Sequence, residues 1–106
     1  MSWKALFTSI MNDGMLYHSK HLSFKWKPSS ETKVFVVVSK KTISSAVLRN
    51  KLKRRIRMLF SSEAKSSPIS GIFFTKAGIN TLSFTQLKEE VCFLLQKIRN
   101  TVEESV

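Results

Sequence analysis

The chain is short of the residues that usually announce chemistry. Cys92 is the one cysteine in 106 residues, so no internal disulfide can form, and such sparing use of thiols suits a reducing compartment. Three glycines and two prolines leave no glycine-rich phosphate loop and no low-complexity tract. His18 and His21 stand three apart with no cysteine or acid at ligand spacing, so no metal site is expected there. A nucleophile elbow and a His-x-x-x-His pair are both missing. No apolar run approaches the roughly 20 residues that span a bilayer. The start of the chain lacks the basic-then-apolar pattern of a secretory leader, so the cytoplasm is the expected location. Acids are scarce too: seven Asp+Glu face eighteen Lys+Arg, giving a net charge of +11 and a pI near 10.3. Glu89-Glu90 and Glu103-Glu104 read as helix surface, not a catalytic pair. Nothing here equips the protein for acid–base, nucleophilic or metal catalysis, and no small-molecule substrate is expected.

What the chain does have is positive charge, unevenly placed. Residues 1–62 carry thirteen Lys/Arg and two acids, while residues 63–106 carry five of each sign. A high pI with the charge gathered on one part is the electrostatic footprint of a nucleic-acid binder. The excess centres on Ala46 to Phe60, where all six cations lie between Arg49 and Arg57. Leu48, Leu52, Ile56 and Leu59 recur at helical spacing and form an apolar stripe. Asn50, Lys53, Arg54 and Arg57 cluster on the opposite face. Solvated helices usually mix signs to gain i,i+4 pairs, yet no acid lies between Thr32 and Ser62. A polyanionic partner relieves such repulsion better than water does.

At 42% apolar, with eight Phe and two Trp, the chain can build a core and reads as a single domain over residues 1–106. Ser2 caps a first helix of roughly Trp3 to Asn12, with Gly14 placed for a left-handed cap. Met15 to Lys27 alternates like strand, broken near Ser19-Lys20; Leu22, Phe24 and Trp26 make a greasy face and Ser23, Lys25 and Lys27 a wet one. Residues 28–32 form a turn. Lys33 to Ser39 is almost continuously apolar, which predicts a central strand covered on both faces. Ser44 or Ser45 caps the basic helix, which runs to about Ala64. Lys65 to Pro68 is a linker and Ile69 to Thr75 another strand. Ser83-x-x-Gln86 has the form of a capping box, opening a core helix with Phe84, Leu87, Val91, Leu94, Leu95, Ile98 and Val102 on one face. Phe93 points away from it. Cys92 reads as a buried small hydrophobe. The expected fold is α+β: a small mixed sheet of about four strands with three helices, the basic helix carried on a strand-helix-strand crossover. Trp3 and Phe7 suit either core packing or the lining of a groove.

Ser39-Lys40-Lys41, followed by Ala46-Val-Leu-Arg49-Asn50-Lys51-Leu-Lys53-Arg54-Arg55-Ile-Arg57, resembles the signature of the protein subunit of bacterial ribonuclease P, which pairs a Ser-Lys-Lys loop with an Arg-Asn-Arg-x-Lys-Arg-x-x-Arg helix. The resemblance covers nearly the whole chain, including Trp3 and Phe7, the Ile72 to Gly78 strand and loop, and the helix start at Leu82-Ser-Phe. The chain departs from the pattern in several places. It begins almost at the first helix, which extends by several residues before Gly14. The loop after Ser39 is a residue longer and lacks a usual glycine. Lys51 replaces an arginine, and Met58 stands where Glu commonly follows.

The resemblance implies a role in removing the 5′ leader from precursor tRNA, with the chemistry carried by a catalytic RNA subunit and its Mg²⁺ and no cofactor on the protein alone. It also implies that Lys40, Lys41, Arg49, Asn50, Lys51, Lys53, Arg54 and Arg57 dock on that RNA. Trp3, Phe7, Phe24 and Trp26 would meet the leader, where stacking tolerates any base. A left-handed crossover is implied as well. Two other readings share parts of this pattern: a ribosomal-type structural RNA binder without a role in tRNA processing, and a membrane-surface protein using the basic amphipathic helix. The second is at odds with a stripe needed to close the core.

Overall fold

The computed structural model describes residues 2–30, 32–64 and 68–104, with side chains to Thr101. The linker at Lys65 to Ser67, Glu31 of the turn, and the Val102, Glu103 and Glu104 side chains therefore lie outside the described residues. Helix α1 (Trp3–Asp13) starts at Ser2, whose hydroxyl accepts the Ala5 N–H. It ends where the Gly14 N–H donates to Ile10 O at 2.8 Å. Gly14 is not left-handed as expected: its φ is −68°. Glycine is needed there for space, since a Cβ would press on Ile10 O, the Lys25 side chain and Trp26 O. Strands β1 (Met15–His18) and β2 (Leu22–Pro28) form a hairpin broken at Ser19-Lys20, then come β3 (Lys33–Val37), α2 (Ala46–Glu63), β4 (Ile69–Thr75), a 3-10 turn at Ile79–Thr81 and α3 (Phe84–Glu104).

The sheet order is β1-β2-β4-β3, antiparallel except for β3 against β4. The β3–α2–β4 crossover is therefore present, and its strands are parallel neighbours. The expected position of β3 was wrong, however. It is an edge strand, and β4 is the enclosed one. The long apolar run misled because each face of β3 is half covered by a different layer, Val36 by one and Phe35 by the other. β4 is built for enclosure by small residues. Ser70 is fully buried, and a Cβ on Gly71 would collide with the Phe24 ring.

Helices α2 and α3 cover one face of the sheet and α1 the other. Under α2 and α3, Phe24 stacks on Phe73 at 4.1 Å between centroids, and both meet Phe60 edge-on. Each such ring contributes about 1.5–3 kcal/mol through burial alone. Under α1, Leu6, Ile10 and Ile72 are buried and half-buried Phe7, Phe35 and Phe74 close over them. Ser45 caps α2, accepting the Leu48 N–H. The capping box is formed: Ser83 and Gln86 exchange bonds of 2.9 and 3.1 Å between side chain and backbone. Leu87, Val91, Leu94, Leu95 and Ile98 are buried as the stripe predicts. Phe84 and Leu48, the first residues of their stripes, are instead 45% and 53% exposed. Phe93 faces solvent with the Lys97 ammonium 5.5 Å from its ring centroid.

Candidate nucleic-acid interface

With Ile56, Leu59 and Phe60 anchoring α2 in the core, the helix pitch sorts its polar residues into rows four apart. Arg49, Lys53 and Arg57 form one row, Asn50 and Arg54 a second, and Lys51 and Arg55 a third on the side of α3. Lys53 and Arg49 are half-buried at the flank and the others are exposed. Among the described residues, none of these cations pairs with an acid; the ion pairs are His21–Glu90 and Lys88–Glu63. Arg49 has a further job. One terminal nitrogen donates to Ile43 O at 3.0 Å and Ser44 O at 2.7 Å, tying the loop that carries exposed Lys40 and Lys41 to the helix. A guanidinium has five donors, and these two bonds use only one of its terminal nitrogens. The Ser39 hydroxyl accepts the Lys41 N–H at 3.0 Å, which tightens the same loop.

On the other face of β3 lies a surface of aromatic rings. Phe7 meets Phe35 edge-on at 5.4 Å, and Trp3, 58% exposed, lies 6.4 Å from the same ring. Lys33 and Val37 share Phe35's face by strand alternation and are exposed. Two residues expected beside these rings are not there. Phe24 and Trp26 are 0% and 2% exposed and sit in the core beneath α2 and α3. The reason is the pleat. The wet face of β2 is the one that looks toward α1, where Lys25 donates to Met11 O at 2.5 Å and Lys27 to Ser9 Oγ at 2.6 Å. The greasy face is therefore on the side of the sheet away from Trp3 and Phe7, and no single groove can include both sets. Phe35 was the residue missed. Its odd position in the β3 alternation was a usable signal, masked by the assumption that both faces were covered.

Elsewhere, polar groups that looked idle are engaged. Glu90 is not free helix surface. It accepts Ser19 Oγ at 2.6 Å, the His21 N–H at 2.7 Å and the His21 ring nitrogen at 2.7 Å. Burial alone would raise its carboxyl; these hydrogen bonds outweigh burial and hold it below the usual carboxylate range. His18 Nδ1 bonds Ser23 Oγ at 2.8 Å. Cys92 is half-buried, and burial beside Glu63 pushes its thiol up, away from a reactive thiolate. Among the described residues, no three His, Cys, Asp or Glu side chains gather as a metal-holding group, and no helix is long and apolar enough to cross a membrane.

Comparison with known proteins bears on the same geometry. The chain is 27% identical over 97 residues to the ribonuclease P protein component of a Nitratiruptor species, covering 91% of this chain and 88% of that one. It is 45% identical over 47 residues to the ribonuclease P protein component of Thermus scotoductus, a match spanning 44% of this chain and only 28% of the relative's length. In fold it is similar to a Staphylococcus aureus RNase P protein mutant (TM-score 0.80, 21% identity, 93% of this chain and 86% of that one). The RNase P protein from Thermotoga maritima is similar too (TM-score 0.78, 18% identity, 92% and 94%). The model of the Ribonuclease P family matches residues 1–99, and the chain belongs to that family.

Proposed function

We propose that the protein is the RNA-binding subunit of a bacterial, cytoplasmic ribonuclease P, assisting removal of the 5′ leader from precursor tRNA. The observation that carries this is the arrangement around β3. One open sheet edge has unneutralised cation rows of α2 on one face and a floor of exposed and half-buried rings on the other. The α2 rows, with Asn50, Lys40 and Lys41, meet phosphates and hydroxyls of the catalytic RNA. Charge-assisted bonds to phosphate are the stronger kind, and Arg49 holds the loop and helix in one piece. Trp3, Phe7 and Phe35 receive leader bases by stacking, which needs no particular sequence. The protein positions and neutralises. Mg²⁺ would be held by the RNA and not by this protein, and would supply the activated water for a cleavage that leaves a 5′-phosphate on the mature tRNA. Membership of the family removes the ground for a purely ribosomal role.

The test is cleavage of precursor tRNA by a bacterial ribonuclease P RNA at low Mg²⁺, with and without this protein. Stimulation is expected. Absence of stimulation, with the RNA active at high Mg²⁺, refutes the assignment.

A further inference from the structure

Two amphipathic stripes fail at the same place. Leu48 opens the apolar stripe of α2 and Phe84 that of α3, yet both are about half exposed. Both line a pocket of about 140 Å³ between the two helix starts. Its floor is fully apolar: Ile43, Ile79 and Leu87 are buried, and half-buried Leu52 and Leu82 flank them. Its rim is cationic and polar, with Lys51 and Arg55 one turn apart on α2 and Asn80 opposite. No acid lines it. Exposed apolar side chains gathered around a pocket are the kind of surface that can mark an interaction site.

The size and the charge together restrict the occupant. An apolar cavity of about 150 Å³ takes a single aromatic ring such as benzene, so the pocket matches the size of one ring system. Lys51 and Arg55 at the mouth call for negative charge beside that ring. One apolar ring with flanking anions is the outline of a single unstacked nucleotide. Building on the ribonuclease P reading, we propose that this pocket receives one unpaired base extruded from the RNA subunit. Lys51 and Arg55 hold its flanking phosphates, Leu48 and Phe84 bracket the ring, and the Asn80 amide meets its polar edge. This pocket lies on the α2–α3 face of the sheet, away from the rings of Trp3, Phe7 and Phe35, so the two base-binding places are separate. It also divides labour along α2: the Lys51–Arg55 row serves an inserted base, while the Arg57 row serves the backbone.

The experiment titrates a full-length bacterial ribonuclease P RNA with wild-type protein, Asn80→Trp, Phe84→Ala and Arg57→Ala. It reads the dissociation constant together with base-specific chemical modification of unpaired nucleotides. Asn80 and Phe84 are exposed, so both pocket variants should keep the wild-type melting profile, checked by circular dichroism. Filling the pocket by Asn80→Trp, or opening its wall by Phe84→Ala, should weaken RNA binding about tenfold, the scale of one lost stacking contact. Each should also restore modification at one nucleotide that the wild type protects. Arg57→Ala should weaken binding but, at saturation, retain that protection. If both pocket variants bind and protect as wild type while Arg57→Ala is weakened, the inserted base is refuted and the ribonuclease P reading stands. If the wild type itself fails to bind the RNA, both fail together.

Discussion

Replacing Phe35 by alanine removes the ring against which Trp3 and Phe7 both lie. Phe35 is half-buried on an edge strand, its inner side against the α1 layer and its outer side open. The substitution therefore leaves a notch that solvent can fill, and its stability cost should fall well below that of a core ring. The functional cost is different. Loss of a stacking platform removes about 1–3 kcal/mol per base contacted, roughly a 5- to 150-fold loss of affinity. Phe24→Ala is the internal contrast. Phe24 is fully buried, stacked on Phe73 and wedged against Gly71, so truncation should cost about 3–5 kcal/mol of stability. At about 4–8 °C per kcal/mol for a domain of this size, its melting temperature should drop by well over about 10 °C. The assay is holoenzyme affinity for precursor tRNA with a leader of several nucleotides, compared with mature tRNA. Phe35→Ala and Phe7→Ala should weaken only the former. Equal losses for both ligands, or a melting collapse for Phe35→Ala comparable to that of Phe24→Ala, would show that the rings are structural and the leader runs elsewhere.

Binding to the RNA subunit should depend steeply on salt. With about four to six phosphates neutralised, the slope of log K against log salt should lie near −3 to −5, and a slope near zero removes the electrostatic argument. The two sides of α2 should separate cleanly. Arg57→Ala should cost about 1–3 kcal/mol of RNA affinity with little change in melting temperature. Ile56→Ala, fully buried, should cost about 2–5 kcal/mol of stability; effects on stability alone from both would make the basic face mere surface. The contact of Glu90 with Ser19 and His21 should be pH-dependent. Because the carboxyl is lowered in the folded state, its contribution is present above the unfolded value and lost as pH falls through the lowered one. The melting-temperature gap between wild type and Glu90→Gln should therefore be widest near neutrality and close on acidification. A gap constant across that range contradicts the assignment.

Much of this fold was legible because local signals agreed with one another. Ser2, Ser45 and the Ser83/Gln86 box all cap where their spacing put them. The break at Ser19-Lys20 divides β1 from β2, and Ile69–Thr75 is β4 to the residue. What escaped was information held in the third dimension. An apolar run such as Lys33–Ser39 looks alike whether it is central or lies at an edge with two half-covered faces. The alternation of β2 showed a greasy and a wet face, but not that α1 would settle over the wet one and spend its lysines on Met11 O and Ser9 Oγ. That placement moved Phe24 and Trp26 into the core and left Phe35 beside Trp3 and Phe7. Periodicity likewise could not show that Leu48 and Phe84 extend past the core. It reports which residues share a face, not where the opposing layer stops.

The edge position of β3 is also what makes the site possible. A central strand would have a neighbour on either side, and α1 or α2 would cover its faces. At the edge, Phe35 and Val37 stay open on one face while Lys40, Lys41 and the start of α2 follow directly in sequence. An open apolar edge is a hazard, since it offers unpaired backbone groups to another copy of the chain. Here the same charge that would serve RNA also guards against that. Lys33 sits at the start of the strand, and a net charge of +11 opposes the approach of a second copy. A polyanion meets the reverse force and is drawn to the edge that repels the protein's own kind. Exposed rings and unneutralised cations are each costly surface alone. Set on the two faces of one edge strand, they would offer charge to the RNA subunit on one side and stacking to the leader on the other.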